Sequence, residues 1–436
     1  MMILGKERSE ELAVIYESLV GMRELMSEDP DSKALNAFLK GAVEYMEKIF
    51  RAMDENGIVI AYNAGVSPEL LRCFGDDVVA IPQEAFPVLQ SLLGDPDINA
   101  RINDYAVAQG LPADICSTNR LANGYLLKGL YPEITCAVFH SSPCDNQKTV
   151  GPVAIKEMLG RPIFHIDIPH FSSQREHKYV AAQFKEEIKF LEKQLGRKFS
   201  WERMRSVCEE SNKMMEKIVE WNQLRRTIPL PQSSKISCLM VLVMLAFSGQ
   251  EEGTYIMSEF AAECEERIAR GESSAPDGEK IRAAWFVDAL WQDLSLYDWM
   301  EMELGLVVPI DLFGYMATGV FLDTSTQDSM LESLARKCIE TIPMIRQING
   351  DYEPFIGDWM RMISDFKADC GIFGGHVGCR GSAGVLGLAK EAFREANIPL
   401  LVLEYDFLDN RVTSSEDLQM EITRFVNDVV LPRKVK

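Results

Sequence analysis

The chain has 436 residues, longer than one ordinary hydrophobic core supports, so two or three domains are expected. Its 45 basic and 66 acidic side chains leave a net charge of −21. Such a surface argues against a nucleic-acid partner, because nothing offsets phosphate repulsion, but it leaves room for a small anion in a local basic pocket.

Residues 1–55 read as a helical segment. Leu12, Ile15, Leu19 and Met22 form a stripe at helical spacing, and the charged start shows no secretory signal. From residue 56 the pattern changes. "GIVIAYNAG" (57–65), "DVVAIP" (77–82), "EITCAVFHSSPC" (133–144) and "RPIFHIDIPH" (161–170) are short β-rich runs separated by helical stretches. That alternation predicts a parallel sheet with helices on both faces. A helical insertion rich in Lys, Glu, Met and Leu follows and completes a first α/β domain over 56–270. Within it "ISCLMVLVMLAFSG" (236–249) is too short for the roughly 20 apolar residues that span a bilayer, and it predicts a buried helix rather than a membrane partner. The polar breaker "GESSAPDGEK" (271–280) separates a second α/β domain over 281–436. Its strands are expected in "IRAAWFVDAL", "LGLVVPIDLFG", "ADCGIFGGHVGC" and "IPLLVLEYDF", and an amphipathic helix closes it. No strong internal sequence repeat is visible.

A cytoplasmic location is expected, so the ten cysteines are not a disulfide framework. Cys136, Cys208, Cys238 and Cys370 fall inside apolar or helical patterns and read as core. Cys116, Cys144 and Cys379 each end an apolar segment and open a polar turn before a helix, where parallel α/β sheets place ligands. Their spacing matches neither a clustered zinc site nor a ferredoxin run, and by spacing alone a core role for any one of them stays open. The repetition favours a metal reading. The glycines around Cys379 would let backbone approach a bulky inorganic ligand. The absence of GxGxxG and GxxxxGK[ST] runs predicts no dinucleotide or ATP site in this chain.

The blocks "GVSPELLRCFG", "LPADICSTNRLANGYLLKG", "SSPCDNQ" with "RPIFHIDIPH", "HVGCRG", and "ANIPLLVLEYDFLDNRVTSSEDLQMEITRFVNDV" occur in the order and spacing of a known family. The chain resembles the 2-hydroxyacyl-CoA dehydratase and benzoyl-CoA reductase catalytic subunits from about residue 57 onward. The resemblance implies two Rossmann-like, doubly wound parallel-sheet domains. It implies a 4Fe–4S cluster between them, held by Cys116, Cys144 and Cys379, with one iron open to a thioester carbonyl. It also implies oxygen-sensitive, one-electron (ketyl radical) chemistry on an acyl-CoA, a second subunit of the same family, and a separate 4Fe–4S activator that hydrolyses ATP. Dehydratases of the family then expel a hydroxyl, whereas benzoyl-CoA reductase protonates and reduces again.

Two positions depart from the dehydratase pattern. Ala64 stands where the family's large subunits carry a Ser, and Gln83 where they carry a Glu. Gln83 cannot act as a carboxylate base, so an acyl-CoA reductase of the benzoyl-CoA type is the leading expectation. The alternatives are an (R)-2-hydroxyacyl-CoA dehydratase subunit, in which Glu84 replaces the missing base, and a non-catalytic electron-relay subunit. Glu84 and His376 are the candidate catalytic groups, His376 as a donor near Cys379 that titrates near neutral pH. His140, His165 and His170 read as structural. Arg120, Lys128, Lys148 and Arg380 follow the cysteine turns and could meet CoA phosphates or the activator, although solvated surface is the blander reading. Glu69 reads first as a helix-start residue.

Overall fold

A computed structural model describes residues 10–434 apart from 28, 30–31, 94–95, 288, 343–344 and 349–351. The chain opens with α1 (Glu10–Ser27) and α2 (Lys33–Asp54), then enters β1 (Ile58–Tyr62) and β2 (Val78–Pro82). Helices α3 (Ala85–Leu93), α4 (Pro96–Ala108) and α5 (Ser117–Leu127) lead to β3 (Cys136–His140), and α6 (Asp145–Pro152) leads to β4 (Ile163–Ile166). Four helices follow: α7 (Gln174–Leu195), α8 (Trp201–Leu224), α9 (Ile236–Phe247) and α10 (Glu251–Arg270). The second half contains β5 (Ile281–Val287), α11 (Ser295–Trp299), β6 (Leu306–Asp311), α12 (Gln327–Glu340), α13 (Ile345–Ile348) and α14 (Tyr352–Asp365). It ends with β7 (Cys370–His376), α15 (Arg380–Glu395), β8 (Leu400–Tyr405) and α16 (Ser415–Phe425).

The strands build two four-stranded parallel sheets, ordered β2-β1-β3-β4 and β6-β5-β7-β8. The two orders are the same when each half is counted from its own first strand. A strand buried on both faces is mostly apolar, as in β5, Ile-Arg-Ala-Ala-Trp-Phe-Val, which is buried along its whole length; its one charge, Arg282, donates to the Thr227 and Phe366 carbonyls and pairs with Glu279. Side chains alternate between two layers. Val59, Ala61 and Phe139 of the first sheet share one large core with Trp285, Ile372 and Leu403 of the second. Ile60, Tyr62 and Val138 face a second cluster with α7, α8 and α12, and Phe286 and Phe373 face a third with α14 and α15. Leu12, Ile15 and Leu19 are buried in the shared core, as the helical stripe predicts. The 236–249 run forms the buried helix α9, and among the described residues no helix is long and apolar enough to cross a membrane.

Two features differ from the sequence reading. Residues 111–116 are a loop between α4 and α5, so Cys116 does not end a strand. Leu111 and Ile115 are apolar because they anchor that loop to Ala106 and Val150. In addition, α12 lies between β6 and β7 in sequence yet packs against α7 on the outer face of the first sheet. Leu331, Leu334 and Cys338 supply the apolar face that holds it there.

Candidate active site between the two sheets

Cys116, Cys144 and Cys379 are the N-cap residues of α5, α6 and α15, and none of their side chains makes a capping hydrogen bond. They are the three partly exposed cysteines, and the other seven are buried. Cys144 and Cys379 hold equivalent places in the two halves. β3 and β7 are corresponding strands, each ends in a histidine, and each cysteine follows within a short turn. Ligands in open parallel sheets bind at this end, beside the point where the strand order reverses. Cys116 comes from the α4–α5 loop instead and meets the others through its backbone. A Cβ on Gly378 would lie 2.8 Å from Cys116 Cα, 2.8 Å from the Ile115 carbonyl oxygen and 2.9 Å from the Cys116 nitrogen. Only glycine allows the Cys379 turn to approach the Cys116 turn so closely.

Neighbouring groups hold the Cys116 turn. The buried Arg120 guanidinium donates to the Ala113 carbonyl, to the Ile115 carbonyl at 3.0 Å, and to the Asn103 side chain. Asn103 donates to Asp409 at 2.8 Å, and Asp409 is paired with Arg411, which also reaches Asp104. This chain of bonds links the loop after β8 to the turn before Cys116. Arg380 pairs with Asp114 across the same seam.

All three cysteines line one cavity of about 420 Å³, together with Glu84 and His376. Glu84 lies just before the first turn of α3. Its Oε1 accepts hydrogen bonds from Gln147 at 3.1 Å and Gln83 at 3.4 Å, while the buried Oε2 has no partner. Burial pushes this carboxyl above the usual carboxylate range, against the pull of its own and the Ala64 backbone N–H and the two glutamines. Gln83 is fully buried and does not line the cavity. His376 Nδ1 accepts from the Phe407 N–H at 3.2 Å, whereas the Asp406 carboxylate is farther, at 3.8 Å. With Nδ1 accepting from that amide, Nε2 is the ring nitrogen left to donate, and it is buried with no partner among the described residues. Thr118, Asn119 and Gln147 also line the cavity and each carries a buried oxygen without a partner. Buried polar atoms normally find partners, so this end of the cavity is built to receive a polar group.

The thiol environment is mixed. Burial and nearby Cys116 push the Cys144 thiol up to about 11, while the N–H groups of Gln147 and Asn146 pull it down. Those N–H groups belong to the start of α6, where a helix favours negative charge. Among the described residues no three His, Cys, Asp or Glu side chains converge on a point where a single metal ion would sit.

Other sequence candidates fall elsewhere. Glu69 is fully buried outside the cavity and pairs with Lys337, while Ser211 donates to it at 2.7 Å. Burial raises its carboxyl, but Lys337 and Ser211 more than offset that and hold it at about 2. Glu69 is therefore a structural ion-pair partner. Lys128 pairs with Glu11 on α1. His140 is fully buried and lies outside the cavity lining, and His165 is exposed on β4, also outside it. Exposed His170 and Lys148 line the rim. The apolar wall of the cavity, from α2, α3 and α9, carries no motif in the sequence. Only the helical spacing of Phe38, Ala42 and Tyr45, and of Val241 and Leu245, hints at shared faces.

The sequence model of the 2-hydroxyglutaryl-CoA dehydratase D-component family matches residues 60–429. The chain belongs to this family. The dehydratase D-component match takes in the three cysteines, Glu84 and His376, and leaves α1 and α2 outside it. No curated protein matches the chain.

Proposed function

We propose that the chain is one subunit of an oxygen-sensitive acyl-CoA dehydratase. In this reading Cys116, Cys144 and Cys379 hold a 4Fe–4S cluster and Glu84 moves the protons. The observation that carries it is the convergence of three partly exposed N-cap thiols, a buried carboxyl and a buried histidine on one cavity. The donor set suits the cluster. Thiolates are its ligands, and each binds a different iron, consistent with three thiols that do not meet at one point. Helix starts at all three cysteines leave backbone N–H groups to face sulfide, and Gly378 lets the Cys379 and Cys116 turns come together. When bound, such a cluster supplies a low-potential electron and an open iron that polarises a thioester oxygen.

The chain's own residues do the rest. Gln147 and Gln83 fix Glu84 through Oε1, so Oε2 is left to face the substrate. Its raised affinity for a proton suits a group that takes the proton lost by the acyl chain and returns it to the departing hydroxyl. His376, with Nδ1 occupied by the Phe407 N–H, has Nε2 left to donate toward substrate oxygen. Expected partners are a second subunit of the same family and a separate ATP-hydrolysing 4Fe–4S activator.

Reduction of a benzoyl-type thioester is the second reading. Ala64 favours it, since this position on the cavity wall has no hydroxyl. The deciding assay supplies the anaerobic complex with activator, ATP and a low-potential donor, then offers 2-hydroxyacyl-CoA thioesters and benzoyl-CoA. Formation of 2-enoyl-CoA with only catalytic electron input supports dehydration. A cyclic diene product with stoichiometric electron use refutes it.

A further inference from the structure

The cavity is polar at one end only. Its cysteine end carries Glu84, His376 and the unpartnered oxygens of Thr118, Asn119 and Gln147. Beyond Glu84 the wall is apolar. Val88 and Leu89 lie on the first turns of α3, α2 contributes Phe38 and Ala42, and α9 contributes Leu242 and Leu245. Tyr45 joins them with its hydroxyl already donated to the Ala80 carbonyl at 2.6 Å, so it offers the cavity a ring. Trp291, Phe313 and Phe407 close the wall as a triangle, with ring centroids 5.8 to 6.3 Å apart. The one unpartnered polar atom in that triangle is the Trp291 indole N–H, a neutral donor.

The cations are as unevenly placed. Among the described residues Lys148 and Arg380 are the two lysine or arginine side chains that line the cavity, and both are exposed at the cysteine turns. Arg380 is paired with Asp114. Lys148 has no ion-pair partner among the described residues, and it sits where a phosphate outside the cavity could reach it. His376 borders the triangle, its ring centroid 6.0 Å from that of Phe407, and its Nδ1 accepts from the Phe407 N–H. Among the described residues no lysine or arginine lines the apolar end: the Arg72 guanidinium lies behind it, engaged by the Ala246 and Ser248 carbonyls, and the nearest ionisable neighbour along α3 is another carboxyl, Glu84.

From this asymmetry we infer that the site takes an acyl group whose far end is apolar, aliphatic or aromatic. It selects against a dicarboxylic acyl group such as the hydroxyglutaryl that gives the family its name. This rests on the acyl-CoA reading of the cavity and specifies the tail. A carboxylate carried to the α2–α3–α9 wall would lose its water without gaining a cation, a heavy cost for a charge. A methyl or phenyl group there would gain contact with Leu245, Val88 and the aromatic triangle.

The test is equilibrium binding of CoA thioesters to the full chain, purified without air, by titration calorimetry. Pentanoyl-CoA and glutaryl-CoA form a matched pair, because glutaryl differs from pentanoyl by a terminal carboxylate. Pentanoyl-CoA is expected to bind at least about thirtyfold more tightly. 4-Methylpentanoyl-CoA and 3-phenylpropanoyl-CoA should share that advantage, and their order identifies the preferred tail. Leu245→Arg puts a cation on the wall and should shrink the preference at least about tenfold. Leu242→Lys asks the same of the neighbouring position, and the wild-type ratio stands without either variant. Equal or tighter binding of glutaryl-CoA overturns the inference while leaving the acyl-CoA reading in place. If no thioester binds more tightly than CoA itself, the acyl-CoA reading fails, and the inference with it.

Discussion

Gly378 and Glu84 show how much rests on single positions. Any side chain at 378 would push backbone against backbone, since the atoms it meets are the Cys116 Cα and nitrogen and the Ile115 carbonyl. Gly378→Ala should separate the two turns, so iron retained by the anaerobically purified protein should fall by more than half while far-UV circular dichroism is kept. Glu84→Gln keeps shape and hydrogen bonding but cannot carry a proton. Turnover should drop at least about a hundredfold with thioester binding retained. Because burial raises the Glu84 pKa, the acidic limb of the wild-type rate profile should lie above the ordinary carboxylate range, and the variant should lose that limb. The family pattern aligns its carboxylate with Gln83, which cannot be a base, and the sequence offered Glu84, one residue on, as the replacement. Which of two adjacent side chains faces a cavity depends on the backbone entering α3, and spacing does not encode that.

Elements are tied by buried charge as well as by apolar contact. The Glu69–Lys337–Ser211 cluster joins α12 to α8 and to the turn after β1. Replacing Lys337 with Met leaves Glu69 buried and unpaired, and should cost about 3–5 kcal/mol in urea unfolding. The acid response follows from two depressed groups. Glu69 folds with a pKa of about 2 against an ordinary 4.5, so its contribution is present above 4.5 and is lost as pH falls toward 2. His140, held neutral by burial, falls to about 3 from 6.5, so stability it favours above 6.5 is lost as pH drops toward 3. Lys337→Met should remove the Glu69 part of this acid slope and keep the His140 part. On α7 the sign reverses. Glu187 is buried without a charged partner among the described residues and burial raises it to about 8, so it costs stability as pH rises toward and through 8. Glu187→Met should therefore stabilise the protein at pH 8 by about 1–3 kcal/mol, read from urea midpoints. The strands and the buried helix α9 were legible because periodicity and length report burial. The return of α12 to the first sheet was not, because an amphipathic helix does not say which sheet it covers.

At the scale of the molecule, two sheets of one order place β3 and β7 in corresponding positions; each ends in a histidine and delivers a cysteine to the seam, but His376 lines the cavity whereas His140 stacks on Phe184 of α7. No sequence repeat announces this, since backbone order can be shared when side chains have diverged. The three cysteines were legible as a set through the order of blocks around them. The apolar half of the cavity was not, because it is assembled from helices far apart in the chain. The proposed function requires those cysteines to act together, and iron and acid-labile sulfide analysis of anaerobically purified protein tests it most directly. The wild type should carry about four irons and four sulfides per chain, and the Cys116, Cys144 and Cys379 triple alanine variant should carry almost none while remaining folded. Full iron retention in that variant, or a folded wild type that takes up no iron and sulfide on reconstitution, would contradict it.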